Sequence, residues 1–66
     1  MKRIKFYRLI CEKTQEELSE EIGCTQALIS MFERGIVIPG TKFKEAIAKA
    51  LNRQQNEIFG EEEMNE

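Results

Sequence analysis

The sequence predicts an all-α fold: a compact domain of four to five short helices. Its apolar residues recur at helical spacing in separate runs, and helix-capping residues bracket those runs. The one apolar stretch without that spacing, Ile36-Val37-Ile38-Pro39-Gly40, is too short and too proline-bound for a core strand, so it reads as a connecting loop.

The first helix falls on residues 3 to 12, where Ile4, Tyr7, Arg8 and Cys11 share a face that Phe6, Leu9 and Ile10 widen. These last three cannot all point inward if Tyr7 and Cys11 do. Some apolar surface of this helix is therefore expected to be exposed, either as the rim of a broad core or as a partner or dimer patch. Thr14 and Glu17 form a capping box, and Glu16 and Glu17 lie in a first turn, where the helix dipole favours negative charge. A second helix thus starts at Gln15, runs through Leu18, Ser19 and Ile22, and stops at Gly23.

Thr25 caps a third helix with Leu28, Ile29 and Phe32 on its inner side, Arg34 near its negative pole and Gly35 at its stop. After the loop, Thr41 is expected to cap a fourth helix, whose stripe of Phe43, Ala46, Ile47, Ala50 and Leu51 ends at Asn52. Gln54 to Phe59 gives one more short turn or helix before Gly60. Residues 1–60 then make one domain. Residues 61–66, with Glu61, Glu62, Glu63 and Glu66, make an acidic C-terminal tail expected to be disordered.

Composition narrows the chemistry. There is no histidine, and Cys11 and Cys24 match no zinc spacing, so metal binding and histidine-based catalysis lose their usual groups. No paired carboxylates, nucleophile with its base, or phosphate-cradling glycine loop can be placed. An enzyme, a cofactor and a small-molecule ligand are accordingly not expected. The cysteines read as small core residues, with a disulfide between them as the alternative, and the core reading points to the cytoplasm. Lys5 and Arg8 interrupt the N-terminal apolar run too early for a secretory signal, and nothing is long enough to span a membrane.

The net charge of −2 hides an uneven distribution. Residues 1–13 and 34–53 each carry five basic groups against one acidic group, while residues 14–33 and 54–66 each carry five acidic groups and no basic one. The two basic blocks keep a nucleic-acid partner open despite the acidic total.

Two helices joined through Gly23-Cys24-Thr25 have the spacing of a helix-turn-helix, whose second helix enters the DNA major groove with its N-terminal residues at base edges. Ser19 is small where the helices must cross, Gly23 supplies the turn, and Leu18, Ile22, Cys24, Ile29 and Phe32 are apolar where the two must pack. The run TQEELSEEIGCTQALISMFERG, with IAKAL in the fourth helix, resembles the phage repressor and Cro class of helix-turn-helix domains, the XRE-type family. The resemblance covers residues 3 to 59. It implies a lambda-repressor-like fold of five helices, a homodimer on a pseudo-palindromic operator, and transcriptional regulation, most often repression.

Carried onto this chain, the resemblance makes Gln15 a phosphate contact that supports Gln26, the leading base reader. A carboxamide suits that role, because it can bond two edges of adenine at once. Thr25, Ala27, Ser30 and Met31 would share the groove, with Ala27 and Met31 against thymine methyls and Ser30 on a base or phosphate. Arg34 would face the phosphate backbone. Arg8 and Glu33 match a partly buried ion pair behind the DNA face.

Three departures from the family pattern stand out. The Ile36-Val37-Ile38 loop replaces a polar or basic one, leaving Lys42 and Lys44, and also Lys13, as the nearest phosphate-binding candidates. Glu12 and Lys13 stand where a glycine and an apolar residue are common. Arg53 and Gln55 replace apolar residues in a region that often builds the dimer contact. The apolar recognition-helix face and the Ile36-Val37-Ile38 loop also permit an alternative, a protein-binding module on the same fold.

Overall fold

The computed structural model describes residues 2–60; the acidic tail expected at 61–66 lies outside the described residues. Helix α1 spans Lys2–Ile10, α2 Gln15–Ile22, α3 Gln26–Arg34 and α4 Thr41–Leu51, followed by a π-type helical turn at Asn56–Gly60. No strand occurs among the described residues, and Ile36 to Gly40 is a loop.

Local signals explain most boundaries. Thr14 Oγ1 accepts a hydrogen bond from the Glu17 amide at 3.0 Å, while Glu17 Oε1 accepts one from the Thr14 amide at 2.8 Å. This reciprocal pair satisfies two donors that the first turn of α2 would otherwise leave unbonded. Thr25 does half as much for α3, its hydroxyl oxygen accepting from the Leu28 amide at 3.2 Å.

Besides shifts of one or two residues at the start of α1 and in the final turn, two boundaries differ from the sequence reading. Helix α1 ends at Ile10 rather than at residue 12, because Glu12 adopts a left-handed conformation with φ 58°. The Lys13 amide then donates to the Arg8 carbonyl and the Glu12 amide to the Leu9 carbonyl, closing the helix by the pattern that usually places glycine at this position. The fourth helix is capped by Gly40, not Thr41, and without a side-chain hydrogen bond. Thr41 is already its first helical residue, because the preceding Pro39 is buried and fixes where the chain enters.

Every helix contributes to one core. Ile4 from α1, Leu18 from α2, Ile29 and Phe32 from α3, Ile47 and Leu51 from α4, and Ile58 and Phe59 from the final turn are almost wholly inaccessible. Helix α2 packs chiefly against α3 and α4, while α1 crosses α3, α4 and the final turn. Ser19, buried on α2, turns its hydroxyl back to the Glu16 carbonyl at 2.7 Å, so a small polar residue sits in the packed layer without an unbonded group. Cys11 and Cys24 are free thiols packed against this core, so the disulfide alternative does not hold. Cys11 Sγ donates weakly to the Leu51 carbonyl at 3.4 Å.

Glu12→Gly removes a side chain from a left-handed residue. It should stabilise the chain by about 0.5 to 1 kcal/mol, the steric relief being partly offset by the freer unfolded chain. Urea denaturation checks this, with a raised midpoint at unchanged slope expected.

Candidate nucleic-acid interface

The turn between α2 and α3 is set by Gly23, at φ 79° and ψ 39°. The amides of Gly23 and Cys24 both donate to the Ser19 carbonyl at 2.9 Å, which ends α2 and swings the chain away. A side chain at Gly23 would meet no neighbour, so it is backbone conformation rather than space that favours glycine here. Cys24 then anchors against the core, and Thr25 restarts the helix.

Burial sorts the residues of α3. Ile29, Phe32 and Glu33 are buried, and Leu28 packs partly against the core. Thr25, Gln26, Ala27 and Arg34 are exposed, and Ser30 and Met31 are half-buried. The first turn of α3 therefore offers solvent a carboxamide beside a methyl group and a hydroxyl. That set can both donate and accept hydrogen bonds, with an apolar surface next to them.

Behind this face lies a buried polar network. Arg8 Nε on α1 meets Glu33 Oε2 on α3 at 2.6 Å, and Arg8 Nη2 donates to Glu33 Oε1 at 3.3 Å, with the two side chains only 8% and 4% exposed. Arg8 Nη1 donates to the Lys13 carbonyl at 2.8 Å. Gln15 Nε2, at the start of α2, donates to Glu33 Oε1 at 3.0 Å. One carboxylate thus joins three helices, and no buried side-chain nitrogen or oxygen among the described residues lacks a partner. The resemblance gave Gln15 the task of supporting Gln26; here one of its two side-chain N–H groups is bonded to Glu33.

The basic residues divide. Lys42 is exposed at the start of α4, whereas Lys44 leans over the Phe59 ring at 5.4 Å. Arg34 lies along its own helix, Nε donating to the Ser30 carbonyl at 3.4 Å. Lys13, a phosphate candidate from sequence, is turned inward. Its Nζ donates to Glu21 Oε1 and to the Ala50 carbonyl, each at 2.7 Å, and so ties α2 to α4. Sequence carries no signal for that role, since a backbone carbonyl acceptor has no residue identity. In the loop, Val37 packs against the core while Ile36 and Ile38 are 60% and 70% exposed. Among the described residues no three His, Cys, Asp or Glu side chains group as a metal site. Among them, too, no helix is long and apolar enough to cross a membrane.

An all-helical domain in which a glycine turn sets one helix across another, with the outer turn of the second left exposed, is a helix-turn-helix domain. The sequence profile of the helix-turn-helix family matches residues 4–54, and the chain belongs to that family. Its relatives include an uncharacterized HTH-type transcriptional regulator of Archaeoglobus fulgidus, 36% identical over 86% of this chain and 80% of the relative. Another, of Methanocaldococcus jannaschii and also named an uncharacterized HTH-type transcriptional regulator, is 32% identical over 86% of each. No solved structure matches the chain significantly.

Two outcomes follow from these contacts. Glu33→Ala should cost about 3 to 5 kcal/mol in chemical denaturation, because it strands the buried Arg8 charge; a loss below about 1 kcal/mol would assign the pair no more weight than a surface one. Burial raises the Cys24 thiol above its usual range by desolvation. The thiolate is the reactive form, so at mildly alkaline pH Cys24 should alkylate more slowly in the folded chain than in urea, as mass spectrometry can follow.

Proposed function

We propose that this protein is a sequence-specific DNA-binding transcriptional regulator, acting as a repressor. It binds a pseudo-palindromic operator as a homodimer, one α3 in the major groove of each half-site. The observation that carries this reading is the exposed start of α3, Thr25-Gln26-Ala27, on a helix whose opposite side is held by the core and by Glu33. The names of the two archaeal relatives support it.

In this reading Gln26 bonds adenine through its carboxamide, a pairing worth about 1 to 3 kcal/mol of discrimination. Ala27 and Met31 meet thymine methyls, and Thr25 and Ser30 bond a base edge or a phosphate. Gln15, Arg34, Lys42 and Lys44 contact phosphates. Gln15 keeps its second side-chain N–H and its backbone amide for that purpose once one side-chain N–H is bonded to Glu33, and both are donors suited to a phosphate oxygen. No step of this function calls for catalysis, a cofactor or a small-molecule ligand, and its site of action is the cytoplasm.

The exposed Ile36 and Ile38 favour a second reading, a protein-binding module on the same fold that docks its partner on the loop and the apolar side of α3.

Selection from a random DNA pool separates the two. The regulator reading expects an enriched two-fold symmetric site whose half-sites lie about one DNA turn apart, roughly 34 Å, and whose preference at one position is lost in Gln26→Ala. No enrichment at low salt would exclude it. Affinity for the enriched site should fall with salt with a shallow log-log slope, about −0.9 for each of a few phosphates per subunit.

A further inference from the structure

Helix α1 carries an apolar stripe that the core does not use. Phe6, Leu9 and Ile10 stand at positions i, i+3 and i+4 of the helix and so form one continuous face. They are 56%, 55% and 49% exposed, while Ile4 and Arg8 on the other side of the same helix are buried. Together they present on the order of 300 Å² of apolar surface, the size at which a patch on a small protein commonly marks a contact site. The charges around the stripe are ordered. Lys2 and Lys5 are exposed at its N-terminal end, and Glu12 is exposed just beyond its C-terminal end.

We infer that this stripe is a self-association surface, and that its occupant is the α1 helix of a second copy, packed antiparallel about a two-fold axis. That operation sets Phe6 against Ile10 of the second copy and brings the two Leu9 side chains near the axis. It also places Lys5 within reach of the second copy's Glu12, twice. The order of charges argues for a second copy over a foreign chain. A foreign partner would have to supply an apolar face of matching length with acid opposite Lys5 and base opposite Glu12, whereas two-fold symmetry supplies both automatically. Antiparallel helices also oppose their dipoles favourably. Nucleic acid is a poor occupant, because phosphates would have to lie on aliphatic carbon. The contact is isologous, so it closes at two copies and does not propagate into fibres. A patch well below the roughly 800 Å² per partner of a standard interface makes the dimer weak and concentration-dependent.

This inference rests on the homodimer reading proposed above and names the surface that forms the dimer. Sedimentation equilibrium of the full chain without DNA tests it, on wild type, Leu9→Glu, Lys5→Glu, Glu12→Lys and the Lys5→Glu/Glu12→Lys pair. All these side chains are exposed, and circular dichroism with a urea midpoint confirms that each variant folds. Wild type should show a monomer–dimer equilibrium, Leu9→Glu should weaken it about tenfold or more, and each single charge reversal should weaken it less. The paired reversal should recover part of what the single ones lose, which only the antiparallel register explains. Dimerisation unchanged by Leu9→Glu would overturn the surface while leaving the homodimer standing. Wild type that stays monomeric at every concentration would overturn the surface, while the operator-bound homodimer stands or falls with the two-fold symmetry of the selected site, and failure of the paired reversal to recover would overturn the antiparallel pairing.

Discussion

The ion pair between Arg8 and Glu33 is the contact on which the arrangement of α1, α2 and α3 depends. Both groups are removed from water, which is costly for each charge separately, and the cost is offset by their mutual contact and by hydrogen bonds that leave no buried side-chain nitrogen or oxygen among the described residues without a partner. Glu33 accepts from Arg8 and from Gln15, and Arg8 also donates to the Lys13 carbonyl. Apolar contacts such as Leu18, Ile29 and Phe32 pull the helices together but are non-directional. The carboxylate and guanidinium add direction: they fix where the start of α2 and the end of α1 lie relative to the last turn of α3. The position of Gln26, two turns away on the same rigid helix, follows from that fixing.

The same economy shapes the outer surface. Several basic side chains are occupied by the fold: Arg8 with Glu33, Lys13 with Glu21 and Ala50, and Arg53 over the Tyr7 ring at 4.9 Å. Exposed Lys42 and Arg34 remain near the ends of the loop after α3, while the loop itself carries isoleucines where a stronger phosphate grip would use lysine or arginine. Under the proposed function, few phosphate contacts support affinity here, and the groups exposed on α3 would carry the larger share of binding.

Much of this was legible in the sequence because its causes are local. Thr14 with Glu17, Thr25 and Gly23 act on their own or nearby backbone groups, so spacing alone locates the helices they begin or end. Asn52, at φ 57°, ends α4 where expected, since asparagine tolerates the left-handed conformation. The misplaced boundaries have non-local or atypical causes. Glu12 takes a conformation that its side chain does not advertise, and Gly40 replaces Thr41 as cap because Pro39 is held by burial. At the candidate site, residue type and family resemblance pointed to Arg8, Glu33 and the α3 residues. The bond from Gln15 to Glu33 and the inward turn of Lys13 depend on how side chains settle after the helices pack, which periodicity does not encode.

Arg8 and Glu33 act as one unit rather than as two separately useful residues. A double-mutant cycle measures this directly: Arg8→Met, Glu33→Leu and the double variant, each followed by urea denaturation. Strong coupling is expected, with each single change costing about 3 kcal/mol or more and the double change costing less than either, because apolar side chains can share the space once both charges are gone. Additive losses, with coupling below about 0.5 kcal/mol, would contradict it.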